Sequence, residues 1–311
     1  MFALTSRVLV AVTVAVVGVG GCAAGGGGSE AGPGRGGGPA ASVSPEASKA
    51  AVRRPRIPRG VRAGYMVFDR KIGKVTAHHD AHGTVRSASV VKILIAVDHL
   101  EARGAGRGVS AGDRALLRGM LRSSDDRAAT VLWARGGRGA IVRRMAARMR
   151  LVDTAPPPAT HPGFWGYTAI SAYDVVRMYR YLLERADPGI RRFVLGELHR
   201  ATRCGKDGFD QYFGIPRALP RPWAIKQGWS GFGTVPADPC KGGRAAGLRL
   251  RPASAPDLGL GRPVLHTTGT VGEGDRRIVV VLTLQPAGGS FKSAASRLTS
   301  LTAQVHRAGG G

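Results

Sequence analysis

The chain has 311 residues, of which 46 are Lys or Arg and 20 are Asp or Glu, so its formal net charge is +26. A nucleic-acid-binding protein would fit this charge, but no recognisable nucleic-acid-binding motif is present, and we expect no nucleic-acid partner. Attraction to anionic lipid or wall polymer is a second interpretation. Compositional bias is a third, because Arg is spread over the whole chain and Asn is absent.

The first 22 residues have the pattern of an export signal. Arg7 supplies a positive start, and the apolar run over residues 8–19 is too short to span a bilayer. The sequence Val19-Gly20-Gly21-Cys22 then resembles a bacterial lipobox. This resemblance implies that residues 1–22 are a lipoprotein signal peptide, that Cys22 is lipidated, and that the exported protein is anchored to the outer side of the cell membrane. An ordinary secretory signal with an incidental cysteine is the alternative.

Residues 23–60 are predicted to form a flexible tether. They are rich in Gly, Ala, Pro and Ser, and no apolar period appears in them. A chain of this length and composition has an r.m.s. span of roughly 35 Å, enough to hold a domain off a membrane surface. Residues 61–311 then remain for the folded domain, which is long enough to bury one good core.

The pattern of the remaining sequence changes from strands to helices and back. The alternation of residues 64–78 predicts a β-hairpin, and the apolar residues of 111–200 recur mainly at helical spacing. Strands are predicted again in WAIKQGW, GLRLRP, VLHTTGTVG and RIVVVLTLQP, the last being typical of a central buried strand, before a helix over SFKSAASRLTSLTAQVHRA. This order predicts an α+β fold whose N- and C-terminal parts share one antiparallel sheet, flanked by helices, with an all-helical subdomain inserted.

Cysteine usage is consistent with export. The chain has three cysteines, and if Cys22 carries lipid, Cys204 and Cys240 remain as one pair. In an oxidising compartment we expect these two to form a disulfide. Two buried thiols without a bond are the alternative.

The run SASVVKILIAVDHL contains the most informative motif of the chain. Ser89 and Lys92 are three residues apart at the start of an apolar-periodic helix, so they lie on one face, one turn apart. A serine nucleophile needs a base for its proton and backbone donors for the oxyanion, and a helix N-terminus supplies such donors. Alone, the S-x-x-K pattern is also consistent with a helix-start serine and a solvated lysine.

Two further motifs follow in order. Residues 124–126 read Ser-Asp-Asp at the junction of two helical stretches, and residues 226–228 read Lys-Gln-Gly on the first strand after the helical block. S-x-x-K, an S-D-N-like motif and K-[TSQ]-G are the signature of class A β-lactamases and penicillin-binding proteins. From about Ala63 to Val305 the chain resembles this superfamily, and particularly a group of exported actinobacterial β-lactamase-like serine hydrolases. The resemblance implies a β-lactamase/transpeptidase-like fold.

The resemblance also implies roles for the catalytic residues. Ser89 corresponds to the nucleophile and Lys92 to a candidate base. Ser124 would relay a proton to the leaving group, and Lys226 would add positive potential and hold a substrate carboxylate. Backbone N–H groups of Ser89 and Trp229 would form the oxyanion hole.

Substrate contacts are implied for Asp126, Gln227, Gly228 and Trp229, and one of these departs from the family pattern. Asp126 stands where the family has asparagine, and an ionised carboxylate can only accept hydrogen bonds. It is expected to alter substrate choice or to pair with Lys92; a helix-capping Asp is the alternative.

A second departure concerns hydrolysis of the acyl-enzyme. Class A enzymes use a glutamate in the loop after the helical block, whereas PPPATHPGFWGYTAIS here contains no acid. Efficient β-lactamase activity is therefore not expected. The leading interpretation is a serine hydrolase acylated at Ser89 by a β-lactam or a cell-wall peptide, with slow deacylation. The alternative is a catalytically idle relative that binds wall material or a protein partner.

The sequence indicates no specific chemistry for the remaining histidine and aromatic residues. Neighbouring residues of a strand point to opposite faces, so His78 and His79 cannot easily share one ion, and neither a metal nor a cofactor is expected. The aromatic residues that could line a cleft or pack in the core are Trp165, Tyr167, Phe213 and Trp223. The protein is expected to be a monomer.

Overall fold

One antiparallel sheet of six strands joins the two ends of the domain. The structure is a computed structural model and describes residues 54–104, 108–240 and 261–311. The strands of this sheet are β1 (Arg62–Asp69), β2 (Lys74–His79), β5 (Trp223–Ile225), β6 (Gly228–Ser230), β7 (Val264–Val271) and β8 (Arg277–Leu284). They lie in the order β2-β1-β8-β7-β5, and β6 also pairs with β7. The predicted sharing of one sheet by N- and C-terminal strands is confirmed.

The helices lie mainly between the N-terminal hairpin and the C-terminal strands. They are α1 (Lys92–Glu101), α2 (Ala111–Arg122), α3 (Asp126–Arg135), α4 (Gly139–Met149), α5 (Ala172–Glu184), α6 (Pro188–His199), α7 (Ile215–Ala218) and α8 (Phe291–Ala308). Several begin at a residue whose side chain accepts a hydrogen bond from the first turn, as Ser110, Asp125 and Ser171 do. The expected α+β class is confirmed.

Apolar side chains fill both faces of the sheet because successive strand residues alternate between faces. On one face, Val280 and Leu282 of β8 belong to a large core cluster that also contains the fully buried Leu94 of α1. On the other face, Val281 packs in a second cluster with α8 residues such as Leu301. β8 lies between β1 and β7, which confirms the prediction of a central buried strand.

A second, very small sheet was not predicted. It pairs β3 (Val85–Arg86) with β4 (Ala169–Ile170). This pairing attaches the segment before α5 to the segment before α1. The two-residue strands carry no periodic signal that a sequence pattern could detect.

Some sequence predictions fall on residues that the structure does not describe. These are the signal peptide with Cys22, most of the tether, and the predicted strand GLRLRP. Within the described part, the Arg56 N–H donates to Gln304 Oε1 at 2.9 Å and Ile57 packs on the second cluster, so contacts with the domain begin before residue 61. No helix in residues 54–104, 108–240 or 261–311 is long and apolar enough to cross a membrane.

The expected disulfide is present. Cys204 and Cys240 are bonded, with their Cα atoms 5.5 Å apart and a separation of 36 residues along the chain. The bridge fixes the loop after α6 to the segment that follows β6.

Candidate active site

The candidate nucleophile lies on a tight turn directly before α1. Ser89 belongs to a single 3-10 turn (Ala88–Val91), and Ala88 has a φ of 44°. This left-handed conformation is uncommon for a residue with a side chain and marks local strain, which is often found at functional sites. Ser89 is only 5% exposed, and its hydroxyl makes no hydrogen bond with any residue in the described part of the chain.

Ser124 occupies the junction between α2 and α3. Its φ is 56°, which is again left-handed, and the next residue, Asp125, caps α3 by accepting a hydrogen bond from the Ala128 N–H at 3.0 Å. This backbone turn directs both the Ser124 carbonyl and its hydroxyl toward Lys92. Asp126, rather than being the helix cap, lies in the first turn of α3 and is free to make a different contact.

Lys92 is fully buried and has three acceptors. Its Nζ lies 2.7 Å from Ser124 O, 3.0 Å from Ser124 Oγ and 2.6 Å from Asp126 Oδ1. An ammonium group carries three hydrogens, so this environment satisfies a charged Lys92 completely. The expected pairing with Asp126 is present.

Lys226 reaches the same serine from the sheet. Its Nζ lies 2.9 Å from Ser124 Oγ and 3.3 Å from Gln227 O, in a fully buried position between β5 and β6. Burial, reinforced by the positive charge of Lys92, holds the pKa of Lys226 well below its usual range. The Ser124 hydroxyl therefore connects two lysines with different partners: Lys92 is paired with a carboxylate, whereas Lys226 donates to a hydroxyl and a backbone carbonyl.

Gly228 allows strand β6 to lie against the turn that carries Ser89. A Cβ atom there would be 2.9 Å from Ser87 O and 3.2 Å from a Val90 methyl group, so a side chain would force the strand away. Gln227 is turned into the core, where its Nε2 donates to the carbonyls of Gln211 and Phe213. Its side chain thus holds a loop, and a substrate contact at this residue would come from the main chain.

Trp229 has a side-chain partner that sequence reasoning missed. Its Nε1 donates to Asp207 Oδ2 at 2.9 Å, and Asp207 Oδ1 accepts from the Phe209 N–H at 3.2 Å. Burial raises the pKa of Asp207, and the charge of Asp126 adds to this shift. Asp207 lies in the sequence GKDG, which indicates a turn, and nothing in that pattern connects it with the motifs that contain Ser89, Ser124 and Lys226.

Trp165 covers Lys92 from the side of the loop between α4 and α5. The Lys92 Nζ lies 4.7 Å from the centroid of the Trp165 ring, and Trp165 Nε1 donates to Thr130 Oγ1 at 3.2 Å. The Ser87 N–H donates to Thr168 O at 2.8 Å, and this bond attaches the loop to the turn that carries Ser89. Trp165 therefore faces the site.

The other aromatic residues considered from the sequence make packing contacts. Tyr167 stacks on Phe164, whereas Phe213 and Trp223 are buried in the second core cluster. The described residues contain no group of three or more His, Cys, Asp or Glu side chains that could hold a metal ion.

Comparison of the structure with solved structures identifies its fold. The penicillin-binding protein PBP-A matches with a TM-score of 0.58 and 15% identity, covering 81% of this chain and 91% of PBP-A. The class A β-lactamase of Mycobacterium abscessus matches with a TM-score of 0.55 and 18% identity, covering 81% of this chain and 95% of the enzyme. A β-lactamase of Sphaerobacter thermophilus gives 0.58 and 17%, covering 81% and 92%. The protein therefore has the fold of class A β-lactamases and penicillin-binding proteins, as the motifs predicted.

A closer sequence relative is found among mycobacterial proteins. The chain is 34% identical over 234 residues to a Mycobacterium tuberculosis protein described as a candidate lipoprotein, LppW, and equally to its Mycobacterium bovis counterpart. The match covers 73% of this chain but 65% of the relative, so the chain spans about two thirds of the length of LppW. No family model matches the sequence.

Proposed function

We propose that the protein is a serine hydrolase of the β-lactamase and penicillin-binding type, acylated at Ser89 by a β-lactam or a cell-wall peptide and deacylated slowly. One observation carries this proposal: Ser124 Oγ lies within 3.0 Å of both Lys92 Nζ and Lys226 Nζ, beside the strained turn that carries Ser89. A protein that merely binds ligands has no need of two buried lysines on one hydroxyl, because burying amines is costly.

In the proposed acylation step, Ser89 Oγ attacks the carbonyl carbon and the carbonyl–nitrogen bond breaks. The serine proton passes to a lysine amine, and the leaving nitrogen receives a proton from Ser124 Oγ, which is replenished from the lysines bonded to it. The lowered pKa of Lys226 supports its participation as a proton acceptor through Ser124. Backbone N–H groups of Ser89 and Trp229 are proposed to stabilise the oxyanion.

Slow deacylation is supported by the loop between α4 and α5. Hydrolysis of the acyl-enzyme requires a base that activates water. Residues 156–171 contain no carboxylate, and Trp165 lies over Lys92 where this loop meets the site. The indole ring would restrict access of water to the ester from that direction.

One observation favours the alternative of an idle relative that binds wall material or a protein partner. Lys92 is saturated by Ser124 and Asp126, and Ser89 has no hydrogen bond to a base among the residues that the structure describes. Catalysis would then require substrate to rearrange the lysine, as catalytic hydrogen bonds often tighten only in complexes.

We also propose export and membrane attachment. The lipobox-like sequence at Val19–Cys22 and the match to a candidate lipoprotein support lipidation at Cys22. Residues 23 to about 53 would then be the tether, and a monomeric domain would act on wall-derived peptides near the membrane.

Incubation with a fluorescent penicillin, followed by mass spectrometry of the modified peptide, tests the proposed function. An adduct on the peptide that contains Ser89 is expected. If saturating penicillin and cell-wall peptides leave Ser89 unmodified, the idle-relative hypothesis replaces the enzyme.

A further inference from the structure

The loop of residues 202–210 connects the two sides of the candidate site. The Thr202 N–H donates to Arg122 O at 3.0 Å, and the Lys206 N–H donates to Ser123 O at 2.7 Å, directly before Ser124. The disulfide between Cys204 and Cys240 fixes the same loop. The segment is therefore held in place by backbone and covalent contacts at the edge of the catalytic cluster.

Within this loop, the side-chain oxygens of Asp207 accept hydrogen bonds from two donors. Asp207 Oδ2 accepts from the indole Nε1 of Trp229 at 2.9 Å, and Oδ1 accepts from the Phe209 N–H at 3.2 Å. A Cβ at Gly205 would lie 2.6 Å from Asp207 Oδ1 and 3.0 Å from the Trp229 ring, so glycine leaves room for this pair. Donors on both oxygens favour the ionised carboxylate and so oppose the burial that raises the pKa of Asp207.

Asp207 belongs to the same electrostatic cluster as the catalytic lysines. The charges of Asp207 and Asp126 both act on Lys226, and the charge of Lys92 acts on Asp207. Two carboxylates thus oppose two lysines, and their formal charges cancel when all four are ionised. The positive potential that would draw a substrate carboxylate toward Lys226 is offset at its source.

We propose that Asp207 is a specificity-determining residue that disfavours acyl donors carrying a carboxylate beside the scissile bond and favours donors that are neutral or amine-bearing there. This inference rests on the proposed acylation of Ser89. The physical cause is repulsion between the Asp207 carboxylate and a second carboxylate brought to the Lys226 side of the site. Discrimination of this kind works by penalising the unwanted ligand.

The test compares benzylpenicillin with its methyl ester, which are the same acyl donor with and without the carboxylate charge. The rate constant for acylation of Ser89 is measured for each by intact-protein mass spectrometry, and the ester-to-acid ratio is formed for each variant. Asp207→Asn retains an oxygen that can accept from Trp229. Asp210→Asn is the matched control, because Asp210 is on the same loop but pairs with Arg203 and Arg217.

Asp207→Asn is expected to lower the ester-to-acid ratio by about tenfold, while Asp210→Asn leaves it unchanged. Salt dependence provides a second measurement: the wild-type ratio divided by the Asp207→Asn ratio should fall toward one as salt rises, because both proteins share every other charge and Asp207 is partly exposed. An unchanged ratio in Asp207→Asn, or equal slowing of both donors, overturns the inference while acylation itself stands. If neither donor acylates Ser89 in the wild-type protein, the proposed function fails and the inference fails with it.

Discussion

The Nζ of Lys92 lies 2.6 Å from Asp126 Oδ1 in an ion pair whose lysine side chain is fully buried and whose carboxylate is 45% exposed. Removing a charged lysine from water is costly, and the adjacent carboxylate offsets this cost. The pair therefore holds the Lys92 amine on Asp126 and Ser124 rather than on Ser89, the proposed nucleophile.

Replacing the carboxylate with the family's amide is predicted to accelerate acylation. Asp126→Asn retains a hydrogen-bond acceptor for Lys92 but removes the ion pair, so the Lys92 amine is released more easily toward Ser89. We expect the acylation rate constant to rise by about tenfold, which corresponds to lowering the activation free energy by ~1.4 kcal/mol. Stopped-flow measurement with a fluorescent penicillin at pH 7 gives the rate constant.

Asp125→Asn is the matched control for this experiment. Asp125 is the neighbouring carboxylate, and it caps α3 through the Ala128 N–H, a role that asparagine fills equally well. Loss of one charge at residue 125 should therefore leave the rate close to wild type. Equal acceleration in both variants would show that net charge near the cleft, rather than the Lys92 pair, controls acylation.

The second prediction concerns the nucleophile. Ser89→Ala is expected to abolish the acyl adduct completely and to leave the fold intact, because the Ser89 hydroxyl forms no hydrogen bond with any residue of the described ranges. Intact-protein mass spectrometry checks the adduct, and circular dichroism with thermal unfolding checks the fold. An adduct of undiminished yield on the alanine variant would assign the nucleophile to another residue.

The order of the three motifs was sufficient to predict the fold. The contacts of the Ser124 hydroxyl with both Lys92 and Lys226 were not predicted, because the motifs assign these residues only separate roles. The spacing of the motifs could not predict the left-handed backbone of Ala88 and Ser124, because φ at a non-glycine residue is set by tertiary contacts rather than by propensity. The position of Trp165 over Lys92 was not predicted for a similar reason, since it depends on how an aperiodic loop packs on the nucleophile turn.

Asp207 was missed because nothing local distinguishes it from an ordinary turn residue. Its proximity to the site results from a loop held by backbone bonds to Arg122 and Ser123. The expected disulfide involves this loop, so the pairing of Cys204 with Cys240 was the one signal that could have directed attention there.

The third prediction concerns this crosslink. Replacing both Cys204 and Cys240 with alanine should lower the free energy of unfolding by about 3–4 kcal/mol, because the open chain gains the entropy of a 36-residue loop. Urea denaturation of the oxidised wild type and the double variant measures the difference. Non-reducing peptide mapping of exported protein provides the accompanying check, and recovery of both residues as free thiols would contradict the bridge.

The fourth prediction concerns the lifetime of the acyl-enzyme. The penicilloyl adduct on Ser89 should persist after excess drug is removed, because residues 156–171 offer no carboxylate and His161 is bonded to Thr160 Oγ1 rather than to a site residue. Mass spectrometry at successive times after desalting follows the adduct. Sustained turnover of a chromogenic cephalosporin that disappears in Ser89→Ala would refute slow deacylation but keep the nucleophile.

A buried histidine next to the site makes the free energy of unfolding depend on pH. His266 on β7 is fully buried; its Nε2 lies 2.9 Å from Arg86 O, and its Nδ1 lies 3.1 Å from the Thr283 nitrogen. Because the Thr283 N–H can only donate, Nδ1 is unprotonated and Nε2 carries the hydrogen. Burial lowers the pKa of His266 to about 4 from 6.5.

The final prediction follows from the direction of that shift. Between pH 6.5 and about 4 the unfolded chain binds a proton at residue 266 that the folded protein does not. The stabilisation is therefore complete above pH 6.5. It decreases by about 1.4 kcal/mol per pH unit as the pH falls toward 4, and the total loss is ~3 kcal/mol. His266→Gln, which can accept from Thr283 and donate to Arg86 without titrating, removes this contribution. Urea unfolding at pH 7.5 and 4.5 should show that the wild type loses about 2–3 kcal/mol more than the variant over this interval. The difference between variants cancels the titration of other groups, so parallel losses in the two proteins would mean that His266 is protonated in the folded state.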